Sequence, residues 1–280
     1  MSFKKILVPL ADVDSDAEAI DAALHLGREF GAQIVALYAK MANGNPSTNR
    51  TKLAGSVERE NGFTDETEVE RARTLFRNCC ASHRINWPGD IATEGLSAKF
   101  LELQGIEADL IAQHGRVSDL TVFTHPNSHE FDWPNISIQT ALRETSRPVL
   151  LVPRTITRVG QRSIIAWNGS LESARAIAFA IPILLRSADT LVVTVGNYDV
   201  QPSGEDVVDY LKCHGIFAKS MVVPIKQESE SLTLLAAASN FDADLTILGA
   251  YTRHRSGRPV FGSMTIEMIE QKQIAVFMSH

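Results

Sequence analysis

Ile6-Leu7-Val8-Pro9-Leu10, trailed by Ala17-Glu18-Ala19-Ile20-Asp21-Ala22-Ala23, decides the fold, because the chain carries the same pattern twice. Moved by 157 residues, Ile6–Leu37 falls on Ser163–Thr194 without a gap. Ala17, Ala19, Ile20, Ala23 and Val35 then meet Ala174, Ala176, Ile177, Ala180 and Val192, and most other apolar positions meet apolar ones. A second match comes near the end of each half, at an offset of 125. There Ala112 and Asp119-Leu120-Thr121-Val122-Phe123 fall on Ala237 and Asp244-Leu245-Thr246-Ile247-Leu248. The drop in offset gives the first copy about 32 extra residues between the two matches. A repeat this long is no solenoid period. It is a duplicated domain, with copies expected at 1–154 and 162–280 and a boundary near Arg154–Arg162.

Each copy opens on a short apolar run, Ile6–Leu10 or Ile164–Trp167, as a strand buried on both faces does. A helix with apolar residues at helical spacing follows: Ala19, Ala22, Ala23 and Leu26 in one copy, Ala174, Ile177, Ala178, Ile181, Leu184 and Leu185 in the other. Further strands are expected at Ile34–Leu37 and Leu191–Val195, then at Gly89–Thr93 and Lys219–Val223. Second helices fit Glu66–His83 and Glu205–His214. A third helix precedes each Asp-Leu-Thr strand, and a fourth precedes the last strand, Val149–Val152 or Ile274–Met278. Five strands alternating with helices imply an α/β fold in which each copy is a five-stranded parallel sheet with helices on both faces and right-handed crossovers. The two final strands are expected to pair within the chain about a pseudo-twofold axis, which would cover two exposed sheet edges. The extra material, about Lys40–Asp65, is polar throughout and reads as a long surface loop.

With 44% apolar and 21% charged residues, the composition is that of an ordinary globular protein. A net charge of −6 argues against a broad nucleic-acid surface. No stretch approaches the roughly 18 apolar residues of a membrane span, and the first apolar run is too short for a secretory leader, so the expected location is the cytoplasm. Cys79, Cys80 and Cys213 have no C-x-x-C pattern, and the adjacent pair is expected inside a helix as small half-buried residues.

Ligands on parallel sheets bind beyond the carboxyl ends of the strands, where strand order reverses. After the fourth strand of the second copy the chain reads Gly249-Ala250-Tyr251-Thr252-Arg253-His254-Arg255-Ser256-Gly257-Arg258-Pro259-Val260-Phe261-Gly262-Ser263. Gly249 would let a ligand approach the backbone closely. Gly262-Ser263 would open a helix whose N–H groups and positive dipole end face an anion, with Arg253, Arg255 and Arg258 adding charge. The plainer reading of the same residues is a solvated loop with a routine helix cap.

This stretch resembles the nucleotide motif of the universal stress protein family, Gly-x-x-Gly-x9-Gly-Ser/Thr, with Gly249, Gly262 and Ser263 on its positions and nine residues between Thr252 and Gly262. The likeness extends over nearly the whole chain as a tandem pair. Ile164-Ile165-Ala166-Trp167-Asn168-Gly169-Ser170 is similar to the family's opening strand and turn, and Ile274–Met278 to its final strand. The resemblance implies two tandem Rossmann-like domains of the adenine nucleotide alpha hydrolase-like type, pairing through edge strands, and a regulatory role in stress response. It also implies ATP or ADP as ligand. Adenine is expected near Asn168 and Val195, and phosphates near Thr252, Arg253, Gly262 and Ser263. Ala166, Trp167, Leu248, Gly249 and Met264 complete the expected nucleotide-binding set.

Two departures mark the second copy. Thr252 stands where the family's ATP binders have their middle Gly, and a β-branched residue is poorly suited to φ > 0. Either the loop takes another path, or the Thr252 hydroxyl replaces a backbone approach. Asn168 stands where the adenine-contacting Asp usually is; it keeps an acceptor and gains a donor. The first copy departs further. Its fourth strand ends in Phe123-Thr124-His125-Pro126, Asn135-Ile136-Ser137 stands where a Gly-Ser pair would open the helix, and Ala11 takes the Asp position beside Asp12. That copy is expected to have lost nucleotide binding and to serve as a fold partner.

Other patterns carry less. Asp12-x-Asp14-x-Asp16 imitates a calcium loop, but Ala17 and Ala23 occupy the places of its Gly and bidentate Glu, so helix-start acids are the reading. His125 and His129 are four apart with Pro126 between them, which argues against one helical face, and no metal site is assigned. Ser170 and Ser263 lack a linked His–Asp pattern, so no catalytic residue is assigned and any ATP turnover would be slow and incidental. A related enzyme class carries Ser-Gly-Gly-x-Asp-Ser after the first strand, which Asn168-Gly169-Ser170-Leu171 does not match. The expectation is therefore a regulatory protein with at most one nucleotide site, in the second copy, acting on an unidentified protein partner, with homodimerisation left open. The alternative is a nucleotide-free interaction scaffold of the same fold, in which Gly249 and Gly262 are turn residues.

Overall fold

The computed structural model describes every residue except 1, 12–14, 41–64, 86, 88–94, 127–135, 155–158, 197–198, 226–228, 251, 254–258 and 261. The chain divides into two compact units built on Phe3–Arg147 and Pro148–His280. The first contains β1 (Lys5–Leu10), α1 (Ala17–Phe30), β2 (Gln33–Lys40), α2 (Asp65–Ser82), β3 (Ser97–Gln104), α3 (Glu107–Gly115), β4 (Leu120–Thr124) and α4 (Ile136–Glu144). Its strands lie in the order β3-β2-β1-β4, all parallel. Ile6, Leu7 and Val8 of β1 are fully buried, as a central strand with helices on both faces requires. The alanine-rich face of α1 supplies the close packing: Ala19, Ala22 and Ala23 are buried with Ile20, Leu24 and Leu26. The helix stops at Gly31, whose φ of +61° is the left-handed cap that glycine adopts without penalty.

The second unit contains β5 (Val149–Val152), β6 (Arg162–Ala166), α5 (Leu171–Leu184), β7 (Asp189–Val195), α6 (Gly204–Cys213), β8 (Ala218–Val223), α7 (Glu230–Asn240), β9 (Leu245–Gly249), β10 (Thr252–Arg253), β11 (Pro259–Val260), α8 (Ser263–Glu270) and β12 (Ala275–Ser279). Its main sheet runs β5-β12-β9-β6-β7-β8. The five strands from β12 to β8 are parallel. Val149–Val152, last in the first copy by sequence, lies in this second unit and pairs antiparallel with β12, Leu150 opposite Phe277. The pairing of these two strands is the one the repeat predicts. Helix starts are fixed by serine: Ser170, Ser203 and Ser229 each accept an N–H of the first turn, and Ser203 forms a reciprocal capping box with Asp206.

The aspartate of the repeated Asp-Leu-Thr has a structural task in both copies. Asp119 Oδ2 accepts the backbone N–H groups of Lys4 (2.7 Å) and Lys5 (3.0 Å). Asp244 accepts three: Gly160 at 3.0 Å and Arg162 at 3.1 Å on Oδ1, and Gln161 at 2.9 Å on Oδ2. Asp119 thus staples the entry of β1 to β4, and Asp244 the entry of β6 to β9, satisfying amides at the start of each strand.

Local outcomes differ in detail. The Gly89–Thr93 strand falls outside the described residues, and the third strand is Ser97–Gln104, a sheet-edge strand carrying Lys99, Glu102 and Gln104. Cys79 and Cys80 sit buried in α2, where burial pushes both thiols up to about 12, while Cys213 is exposed. Asp16 caps α1 as a helix-start acid, but its carboxylate turns back to accept Ala11 N at 2.9 Å. Asp12, Asp14, His129, Asn135 and most of the 40–65 loop lie outside the described residues.

Candidate functional site

In the second unit the strand order reverses between β6 and β9: the chain runs from β6 outward to β7 and β8, then returns to β9 on the other side. Because these strands are parallel, Ala166, Val195 and Gly249 end at the same edge of the sheet. The first turns of α5 and α8 begin at that edge, since each helix runs back antiparallel to the strand before it. The expected nucleotide residues therefore gather at one switch point.

Their local chemistry differs in part from the expectation. A Cβ on Gly249 would lie 2.5 Å from Ser173 N and 2.6 Å from Glu172 C. The open side of Gly249 is thus filled by the first turn of α5 rather than kept for a ligand. Glycine is required there so that helix and strand can touch. Asn168 is exposed, and its Oδ1 accepts Ser170 N at 3.1 Å, closing the turn into α5. Gly169 supplies the φ of +73° that the turn needs. Trp167 is buried at 6% exposure, its N–H on the Val193 carbonyl and its indole Nε1 donating to Pro202 O at 2.7 Å. Ala166 and Val195 are half-buried, and Leu248 is buried in β9.

At Thr252 the structure shows an extended backbone. Thr252 and Arg253 form β10, paired antiparallel with β11, Thr252 opposite Val260 and Arg253 opposite Pro259. An extended, ladder-paired threonine bears no left-handed strain, so the penalty expected from the missing glycine does not arise. Arg255 and Arg258 fall outside the described residues.

Gly262 is the N-cap of α8, at φ −70° and ψ 159°, and its carbonyl accepts Ile266 N at 3.1 Å. Among the described residues no side chain caps this helix, and its first turn carries no acidic residue. Ser263 is exposed and Met264 half-buried. The first N–H groups of a helix have no intrahelical acceptor, and the helix dipole adds partial positive charge. Backbone donors suited to an anion stand here, where sequence placed them. Among the described residues, no group of three His, Cys, Asp or Glu side chains is placed to hold a metal ion.

In the first unit, β4 ends at Thr124, and His125 beyond it is buried at 3% exposure. Ser137 of α4 donates to Glu107 Oε1 at 2.6 Å, tying α4 to α3. Sequence reasoning missed the segment Val200-Gln201-Pro202, which lies against Trp167 and Gly169. Only its Pro and the following Ser203 cap signal a turn; nothing in their spacing shows where it returns.

No family model and no curated relative matches the sequence. Solved structures do. A universal stress protein from Archaeoglobus fulgidus DSM 4304 superposes with a TM-score of 0.71 at 12% identity, covering 98% of this chain and 97% of that one. A protein of unknown function from Pseudomonas aeruginosa PAO1 gives 0.58 at 13% identity, covering 99% and 92%. A candidate universal stress protein from Pseudomonas aeruginosa UCBPP-PA14 gives 0.57 at 14%, covering 99% and 93%. At such identities the likeness is one of architecture: over its whole length, this chain has the universal stress protein fold.

Proposed function

We propose that the second unit binds one adenine nucleotide, ATP or ADP, beyond the carboxyl ends of β6, β7 and β9, and that binding regulates a partner protein in the cytoplasmic stress response rather than feeding a reaction. The observation that carries this is the start of α8 at the sheet's switch point, uncapped by any side chain among the described residues and with no acidic residue in its first turn. Phosphates would take the N–H groups of Ser263 and Met264, and the base would lie toward Asn168 and Val195. The first unit, whose fourth strand runs into His125-Pro126, serves as a fold partner.

Calorimetry on the whole chain tests this reading. We expect one ATP per chain, and at least a tenfold loss for Gly262→Val. The Gly262 backbone is extended, a conformation valine adopts readily, so that variant crowds the phosphate position without backbone strain. Two equivalent sites, or undisturbed binding in Gly262→Val, would refute it.

A further inference from the structure

The base end of the switch point is covered by the chain itself. Gln201 and Pro202 are exposed, yet they lie over Trp167, which is buried. The indole Nε1 holds the Pro202 carbonyl at 2.7 Å. A Cβ on Gly169 would stand 3.0 Å from the Gln201 carbonyl oxygen and 3.1 Å from Val200 Cγ1, so the segment rests on the β6–α5 turn with no room beneath it. Downstream it is anchored by the capping box of α6 at Ser203. On the neighbouring strand, a Cβ at Gly196 would meet Ile225 Cδ1 at 2.7 Å, so a second side chain covers the end of β7. Trp167 and Gly169, which this segment contacts, flank Asn168, where the nucleotide reading places the base.

We propose that Val200-Gln201-Pro202 is a strap, latched by the Trp167 indole, which must lift before a planar base can reach the carboxyl end of β6. This rests on the nucleotide reading of the site and adds its regulation. Trp167 is then a positioning residue for the strap, not a contact for the ligand. The two roles predict opposite signs: losing a direct stacking or hydrogen-bonding contact weakens binding, whereas losing a latch strengthens it.

The test follows the Trp167 indole N–H by nitrogen-resolved NMR in the whole chain, with its resonance identified among three indoles by its loss in Trp167→Phe. Without nucleotide the proton should exchange slowly with solvent, and ATP should accelerate that exchange. Trp167→Phe keeps the ring and removes the donor; it should bind ATP about three- to tenfold tighter, the worth of one net hydrogen bond. Val200→Ala trims the strap's contact with the turn while keeping the tryptophan, and it should shift affinity in the same direction. If ATP binds the unaltered chain but leaves the indole exchange unchanged, or if Trp167→Phe binds equally or more weakly, the strap is overturned and the nucleotide reading stands. If millimolar ATP binds neither the unaltered chain nor the two variants, the nucleotide reading fails and takes the strap with it.

Discussion

Asp244 shows what one repeated residue does. Its two oxygens gather three backbone amides at 2.9–3.1 Å, all from the segment that enters β6. Asp244→Ala leaves those donors to water and should cost about 2 kcal/mol, read as a lower urea midpoint for the second unit. Asp119→Ala, with two amides, should cost less and act on the first unit. Equal melting curves for Asp244→Ala and the unaltered protein would show that solvent replaces the carboxylate fully. Thr252 makes the opposite point. Glycine there would restore the letter of the nucleotide motif, yet Thr252 is ladder-paired with Val260. Thr252→Gly should loosen the β10–β11 hairpin, leaving ATP binding unchanged or weaker. A fivefold or greater gain in calorimetry would mean that the hairpin opens in the bound state.

α3 carries an element-level pH dependence. Burial first, then the charges of Lys5 and Lys99, hold the His114 imidazole below its ordinary 6.5. A histidine whose folded-state pKa lies lower than its unfolded one contributes stability above the unfolded pKa and loses it as pH falls through the folded one. The urea midpoint of the first unit should therefore drop as the pH is taken from about 7.5 to about 5.5, and His114→Gln should flatten that slope. An unchanged slope in the variant would assign the acid sensitivity elsewhere. Elements with both faces buried were legible from sequence: β1, β5 and β12 are built on the uninterrupted apolar runs Ile6–Leu10, Val149–Val152 and Ala275–Met278, and β9 is broken only by Thr246. β3 was not, because an edge strand mixes Phe100 and Leu101 with Lys99 and Glu102. Nor were β10 and β11, two residues each, which are too short to carry a period.

For the whole molecule, duplication was readable because homologous positions keep their apolar character through the shift of 157. The candidate site was readable only where it follows chain order. Gly262-Ser263 announces the helix it begins, whereas the contact of 167–169 with 200–202 depends on a tertiary return that local spacing does not encode. The same limit applies to Gly249, whose neighbour is α5. Pairing of β5 with β12 predicts the behaviour of fragments. A chain spanning 148–280 keeps that strand and the cover it gives β12. One beginning at Gly160 keeps the Gln161 and Arg162 amides that Asp244 holds but uncovers the edge at Val276, Phe277 and Met278, and it should self-associate. A monomeric shorter fragment would show that the β12 edge is protected in some other way.

That same strand pair imposes an order on synthesis. Phe3–Arg147 is contiguous, so all the residues of this unit are joined before any later strand is made. Val149–Val152 emerges directly behind it, yet Leu150 meets Phe277 only after 127 further residues have been added. At usual elongation rates that is a delay of roughly 6 to 25 s. Throughout it, four consecutive aliphatic residues lack the antiparallel neighbour they have in the finished protein. A nascent chain stalled in that window would offer Val149–Val152 to a holdase chaperone as an apolar strand without its β12 partner.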